Sequence, residues 1–109
     1  MNGKATLIMT TVDSDAVART ISTRLVEQRL AACVQEININ SRYRWDGEVR
    51  SEAEILLLVK TSAAAAEAAM RSIRENHSYE VPEIIAVPIT GGLPGYLDWI
   101  ARETGEAGT

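Results

Sequence analysis

Residues 41–50 read Ser41-Arg42-Tyr43-Arg44-Trp45-Asp46-Gly47-Glu48-Val49-Arg50, and this stretch decides the fold. Asp46-Gly47 is the strongest turn signal in the chain. A two-residue hairpin loop needs positive φ at both central positions, which Asp-Gly tolerates. That register sets Trp45 opposite Glu48 and Tyr43 opposite Arg50. The hairpin arms span Ala31 to Lys60, each about 14 residues or roughly 45 Å when extended. A domain of this length is only about 35 Å across, so the tip should overhang the body. It carries Tyr43 and Trp45, two of the five aromatic residues, among arginines and carboxylates. A lone two-stranded ribbon is marginally stable in water. Pairing with other copies would shelter it. A hairpin that bends back over its own sheet is the alternative.

Working outward, Ala5 to Thr11 is a short apolar run that reads as a strand. Asp13-Ser14-Asp15 supplies a helix start. Val17, Ile21 and Leu25 form the apolar stripe of a helix ending near Arg29. Leu30 to Val34 begins the second strand. Val34, Ile37 and Ile39 do not share one parity, so a bulge near Gln35–Glu36 is expected to restore a common face. The returning strand runs through Ile55 to Lys60. Thr61-Ser62 is read as the cap of a second, alanine-rich helix with Ala66, Met70 and Ile73 on its inner face. Val81 to Ile89 is a further strand, which Pro82 and Pro88 push towards a sheet edge. Pro94 suits the first turn of a last helix, with Tyr96, Leu97, Trp99 and Ile100 as its contact face. The order β-α-β-β-α-β-α predicts an α+β, ferredoxin-like βαββαβ sandwich with a long central hairpin and an extra C-terminal helix. One domain covers 1–109, with 105–109 as a fraying tail.

Composition narrows the function. The 109 residues are 46% hydrophobic and 24% charged, with net charge −4. The acidic balance argues against nucleic acid and anionic membranes as partners. No apolar run approaches the length of a membrane span, and the N-terminus lacks a signal peptide's apolar core, so a cytoplasmic location is expected. One cysteine, Cys33, and one histidine, His77, exclude an intrachain disulfide and a multi-cysteine metal cage. Cys33 reads as a buried thiol.

Two motifs then stand out. One is L-A-A-C-V followed by S-x-Y-x-W-x-G (Ser41, Tyr43, Trp45, Gly47) and E-I-L-L-L-V-K-T (Glu54 to Thr61). The other is H-x-Y-E-V-P-E-I (His77, Tyr79 to Ile84) followed by Y-L-x-W-I (Tyr96, Leu97, Trp99, Ile100). Together they resemble the CutA family, the divalent-cation tolerance proteins, over almost the whole chain. The resemblance implies a tight homotrimer similar to the PII signalling proteins, a role in tolerance to copper and other divalent metals, and no enzymatic activity. Copper-binding relatives are thought to use a cysteine at the end of the first strand and adjacent histidines. Thr10 and Asn76-His77 stand there in this sequence, which leaves His77 as the metal candidate.

The expected inter-subunit cleft is lined by Tyr43, Trp45, Glu54, Lys60, His77, Tyr79 and Glu83, and Tyr43, Trp45 and Trp99 are the expected trimer contacts. Glu52 shares a strand face with Glu54, and Lys60 and Glu83 are a candidate ion pair. No cofactor is obligatory; copper or another divalent cation, or a small ligand, is the expected occupant. The alternatives are a structural or signalling scaffold without metal, and an enzyme using His77 as base with Tyr79 and Glu83.

Overall fold

The computed structural model describes residues 4–105. The chain runs β1 (Ala5–Val12), α1 (Asp15–Glu27), β2 (Cys33–Trp45), β3 (Glu48–Ser62), α2 (Ala66–Glu75), β4 (Ile84–Ile89) and α3 (Pro94–Glu103). The four strands form one antiparallel sheet in the order β2-β3-β1-β4, the expected α+β arrangement. β4, which carries Pro88, lies at the edge, as expected.

Local chemistry explains the element ends. Ser14 caps α1, its Oγ accepting from the Val17 amide at 3.2 Å, and Asp15 places negative charge in the first turn. Arg29 takes a left-handed φ of 60° after the helix, and the amides of Leu30 and Ala31 turn back to the Leu25 carbonyl. The buried stripe of α1 is Ala18, Ile21 and Leu25, with Val17 partly covered. Pro94 occupies the first turn of α3, as expected.

Three expectations are corrected. β2 and β3 pair one to one without a break from Cys33–Lys60 to Trp45–Glu48, so there is no bulge at Gln35–Glu36. Thr61 and Ser62 do not cap α2. Thr61 is buried at the end of β3, donating to the Leu30 carbonyl at 2.7 Å. Ser62 Oγ accepts from Ala65 N at 3.2 Å in the turn before the helix, and α2 begins only at Ala66. β4 starts at Ile84 rather than Val81. Of the expected tail, Gly105 donates to the Arg29 carbonyl at 2.9 Å; residues 106–109 lie outside the described residues.

The missing bulge has a physical reason. Along β1, Ile8 and Val12 face the helices together with Ile55, Leu57 and Val59 of β3, and all five are buried against Ile21, Leu25 and Ile73. Val34, level with Val59, packs on this core. Ile37 and Ile39 point to the opposite face, level with Leu56 and Glu54. Both faces of the sheet are apolar, so no single parity was required. The second face carries Leu7, Met9, Leu56 and Leu58 half-buried and Ile37, Ile85 and Val87 more than 40% exposed. α3 lies against it only near its Ser62 and Lys60 end. There Thr104 Oγ1 donates to Ser62 Oγ at 3.0 Å, and the Lys60 ammonium stands 5.6 Å from the Tyr96 ring centre.

β1 stops at Val12, opposite Ile55. Beyond that row β2 and β3 have only each other, and the ribbon stretches the subunit to 46 × 25 × 20 Å. The hairpin does not bend back over its sheet. At its tip Asp46 and Gly47 have φ of 53° and 77°. A Cβ on Gly47 would meet no atom within 4 Å, so Gly47→Ala tests backbone strain alone. It should lower stability by about 1 kcal/mol, read as a lower urea midpoint with an unchanged m-value.

Candidate ligand groove

Five of the seven expected cleft residues, Tyr43, Trp45, Glu54, Tyr79 and Glu83, converge at the step where β1 and β4 end and the ribbon continues. Ser41, Tyr43 and Trp45 of β2 share the uncovered face with Arg50, Glu52 and Glu54 of β3, because side chains two apart on a strand point the same way. The segment between α2 and β4 brings Tyr79 and Glu83 up to the same face. Between ribbon and segment lies a groove of about 630 Å³, lined among others by Tyr43, Trp45, Glu52, Glu54, Tyr79 and Glu83.

Two phenol–carboxylate bonds line it, one within the ribbon and one from the segment to the ribbon. Tyr43 Oη donates to Glu52 Oε1 at 2.7 Å and Tyr79 Oη to Glu54 Oε2 at 2.6 Å. Each bond favours the neutral phenol. The hydrogen bond to Glu52 is the main reason the Tyr43 hydroxyl is harder to ionise than usual. For Tyr79 burial is the larger cause and Glu54 the second, and its pKa lies far above the ordinary tyrosine value.

His77 stands behind this wall, at the exit of α2. Its Nε2 is 2.9 Å from the Thr11 carbonyl oxygen and 3.2 Å from Thr10 Oγ1. Its Nδ1 lies 3.1 Å from the Tyr79 amide nitrogen. A carbonyl only accepts and an amide N–H only donates, so these partners assign the proton to Nε2 and the lone pair to Nδ1. The ring also packs at 4.9 Å on Tyr79. Burial lowers the His77 pKa below 6.5; the Thr11 carbonyl, Asp13 and Glu54 oppose this without reversing it. The folded protein therefore binds this proton less readily than the unfolded chain does. The corresponding stability is complete above about pH 6.5 and is lost as pH falls through the lower folded value. Urea midpoints should fall on acidification below about pH 6.5, and His77→Asn should remove that slope.

One expected cleft residue, Lys60, lies well away from the groove. Lys60 is on the row of Leu7, while Ile84, next to Glu83, is on the row of Thr10; within the subunit Lys60 sits over Tyr96 instead of Glu83. Trp99 packs 5.5 Å from Tyr96 on α3. Cys33 is half-buried on the uncovered face, opposite Lys60. Among the described residues no three His, Cys, Asp or Glu side chains are gathered to hold a metal within one chain. Nor is any helix long and apolar enough to cross a membrane. Sequence reasoning missed the Thr11 carbonyl as the partner of His77, since a backbone acceptor leaves no residue-type signal. It also missed Arg42, Arg50 and Glu80 on the groove, which read as ordinary surface charges.

The sequence model described as CutA1 divalent ion tolerance protein matches residues 6–103. The chain belongs to the CutA family. It is 48% identical over 100 residues to the divalent-cation tolerance protein CutA of Thermus thermophilus, covering 91% of this chain and 97% of that one. It is 38% identical over 99 residues to the chloroplastic CutA protein of Arabidopsis thaliana, covering 90% of this chain and spanning 54% of that relative. Among solved structures, CutA from Xylella fastidiosa superposes with a TM-score of 0.90 at 42% identity, over 93% of this chain and 98% of that one. Cut A1 from Thermus thermophilus gives 0.89 at 47% identity, over 93% and 99%. The CutA family is thus confirmed on both sequence and fold, and with it the family's association with divalent-cation tolerance.

Proposed function

We propose that the chain works as a cytoplasmic, non-enzymatic homotrimer of PII-like architecture that supports tolerance to divalent metal ions. Each groove becomes an inter-subunit cleft that takes a divalent cation or a small ligand. The observation that carries this reading is the uncovered apolar sheet face, which runs without interruption into the groove. Ile37, Ile85 and Val87 on that face, with Tyr43 and Trp45 at the overhanging tip, leave large apolar side chains exposed along one side of the sheet, as interaction surfaces do. Burying it against two copies shelters the ribbon and closes one side of each groove. Trp99 and Lys60, at the other end of the same face, then meet a neighbouring subunit.

The groove offers carboxylate and phenol oxygens from Glu52, Glu54, Glu83, Tyr43 and Tyr79. That donor set suits harder divalent cations better than copper, which prefers thiolate and imidazole. The enzymatic reading is disfavoured because the His77 lone pair is already engaged by the Tyr79 amide. A scaffold without bound metal is favoured by one observation: Glu52 and Glu54 are each occupied by a phenol proton.

Thermal-shift and calorimetric titrations with Cu²⁺, Zn²⁺ and Mn²⁺, on wild type and Glu54→Gln, separate these readings. A ligand bound only by the folded trimer raises the melting temperature, by about 2.7 kcal/mol of stabilisation at a hundred times Kd. A cation that does so in wild type and less in Glu54→Gln supports the cleft. Flat titrations with all three ions leave the scaffold.

A further inference from the structure

Resting on the groove reading above, we infer that His77 is the positioning residue of the groove wall and not a ligand to what the groove binds. The imidazole joins three parts of the fold. Nε2–H donates to the Thr11 carbonyl near the end of β1. Nδ1 accepts from the Tyr79 amide, at the start of the segment that walls the groove. The ring face packs on the Tyr79 ring. This clamp aims the Tyr79 phenol across the step at Glu54 of β3, 2.6 Å away. Asp13 completes it from the other side, its Oδ1 accepting from Ser78 Oγ at 3.0 Å.

The consequence for metal is direct. In the tautomer these partners require, the ring has one lone pair, and the Tyr79 amide uses it. A cation at Nδ1 would have to expel that amide. The amide would then lack its partner, and the phenol would lose its aim at Glu54. A cation at Nε2 would have to replace the proton and face the Thr11 carbonyl with Thr10 Oγ1 beside it, with no thiolate or second imidazole there. The imidazole–copper chemistry implied by the family resemblance therefore does not fit this residue.

Because His77 is the only histidine, its ring gives a single, unambiguous set of nitrogen signals in the tag-free protein. Long-range ¹⁵N–¹H spectra at pH 7.5 should show Nε2 protonated and Nδ1 as a hydrogen-bonded lone-pair nitrogen. One equivalent of Zn²⁺ should leave both in place. A coordination shift of either nitrogen would overturn the inference. So would the opposite tautomer. The second arm uses variants. Asparagine puts an acceptor where Nδ1 sits, whereas alanine provides none. Amide exchange at Tyr79 should quicken at least tenfold in His77→Ala and stay near wild type in His77→Asn, while the Leu57 amide, in the core, is unchanged in both. Unchanged Tyr79 protection in His77→Ala would contradict the clamp. If no ion or ligand ever enters the groove, the cleft reading fails while the ring signals and the exchange pattern still stand or fall by themselves.

Discussion

Replacing Ile85 by aspartate is expected to convert the proposed trimer into folded single subunits. Ile85 sits on β4, level with Met9 of β1, on the face the helices leave open, and is 47% exposed in the subunit. A carboxylate there can still reach solvent in the single subunit, so its cost to the subunit's own fold is small beside its cost in the assembly. In the assembly it would be buried in an apolar contact without a partner, which costs several kcal/mol. Three such sites per trimer should weaken association by about a thousandfold or more. Sedimentation velocity at micromolar concentration should show the single-subunit species, with the far-ultraviolet spectrum retained. Val26→Asp is the matched control. Val26 is 45% exposed, but it belongs to α1, on the other side of the sheet, and its change should leave the trimer intact.

The second large effect lies in the core. Leu57 is fully buried on the helix face of β3, level with Thr10 of β1 and Glu36 of β2, within the cluster that includes Ile8, Leu25 and Ile73. Both neighbouring strands hold its backbone, so the surroundings have little room to collapse. Leu57→Ala should therefore fall towards the upper part of the usual range for such truncations, about 3–4 kcal/mol. That corresponds to a fall of roughly 10–20 °C in Tm for a domain of this size, measured by scanning calorimetry at fixed protein concentration. Leu58→Ala, one residue on and facing the open side, should cost the isolated subunit much less and should act through assembly instead.

The contrast between Leu57 and Leu58 also explains what the sequence could and could not tell. The Asp46-Gly47 turn fixed the β2–β3 register to the residue, because positive φ at two successive positions leaves few alternatives. The helix starts at Ser14 and Pro94 were legible for the same reason: capping chemistry is local. The second apolar face was not legible as such. Val34, Ile37 and Ile39 looked like one face with a defect, when they belong to two intact faces. A strand that is apolar on both sides has two faces to cover, and within the subunit the core cluster with α1 and α2 covers only one of them. At the groove, Tyr43, Trp45, Glu54, Tyr79 and Glu83 come together as their motif spacing suggested. Lys60 and His77 do not line it with them: β3 carries Lys60 away from the tip, and His77 stands behind Tyr79. The pairing of His77 with a backbone carbonyl was invisible, since every residue offers that acceptor.

In the proposed trimer the open face of the sheet is covered by copies of the same chain. Sedimentation equilibrium of the wild-type protein at low micromolar concentration tests it most directly. The expected result is a single species of three times the chain mass. A well-folded species of one chain mass under those conditions would contradict it, and would leave each groove open to solvent along one side.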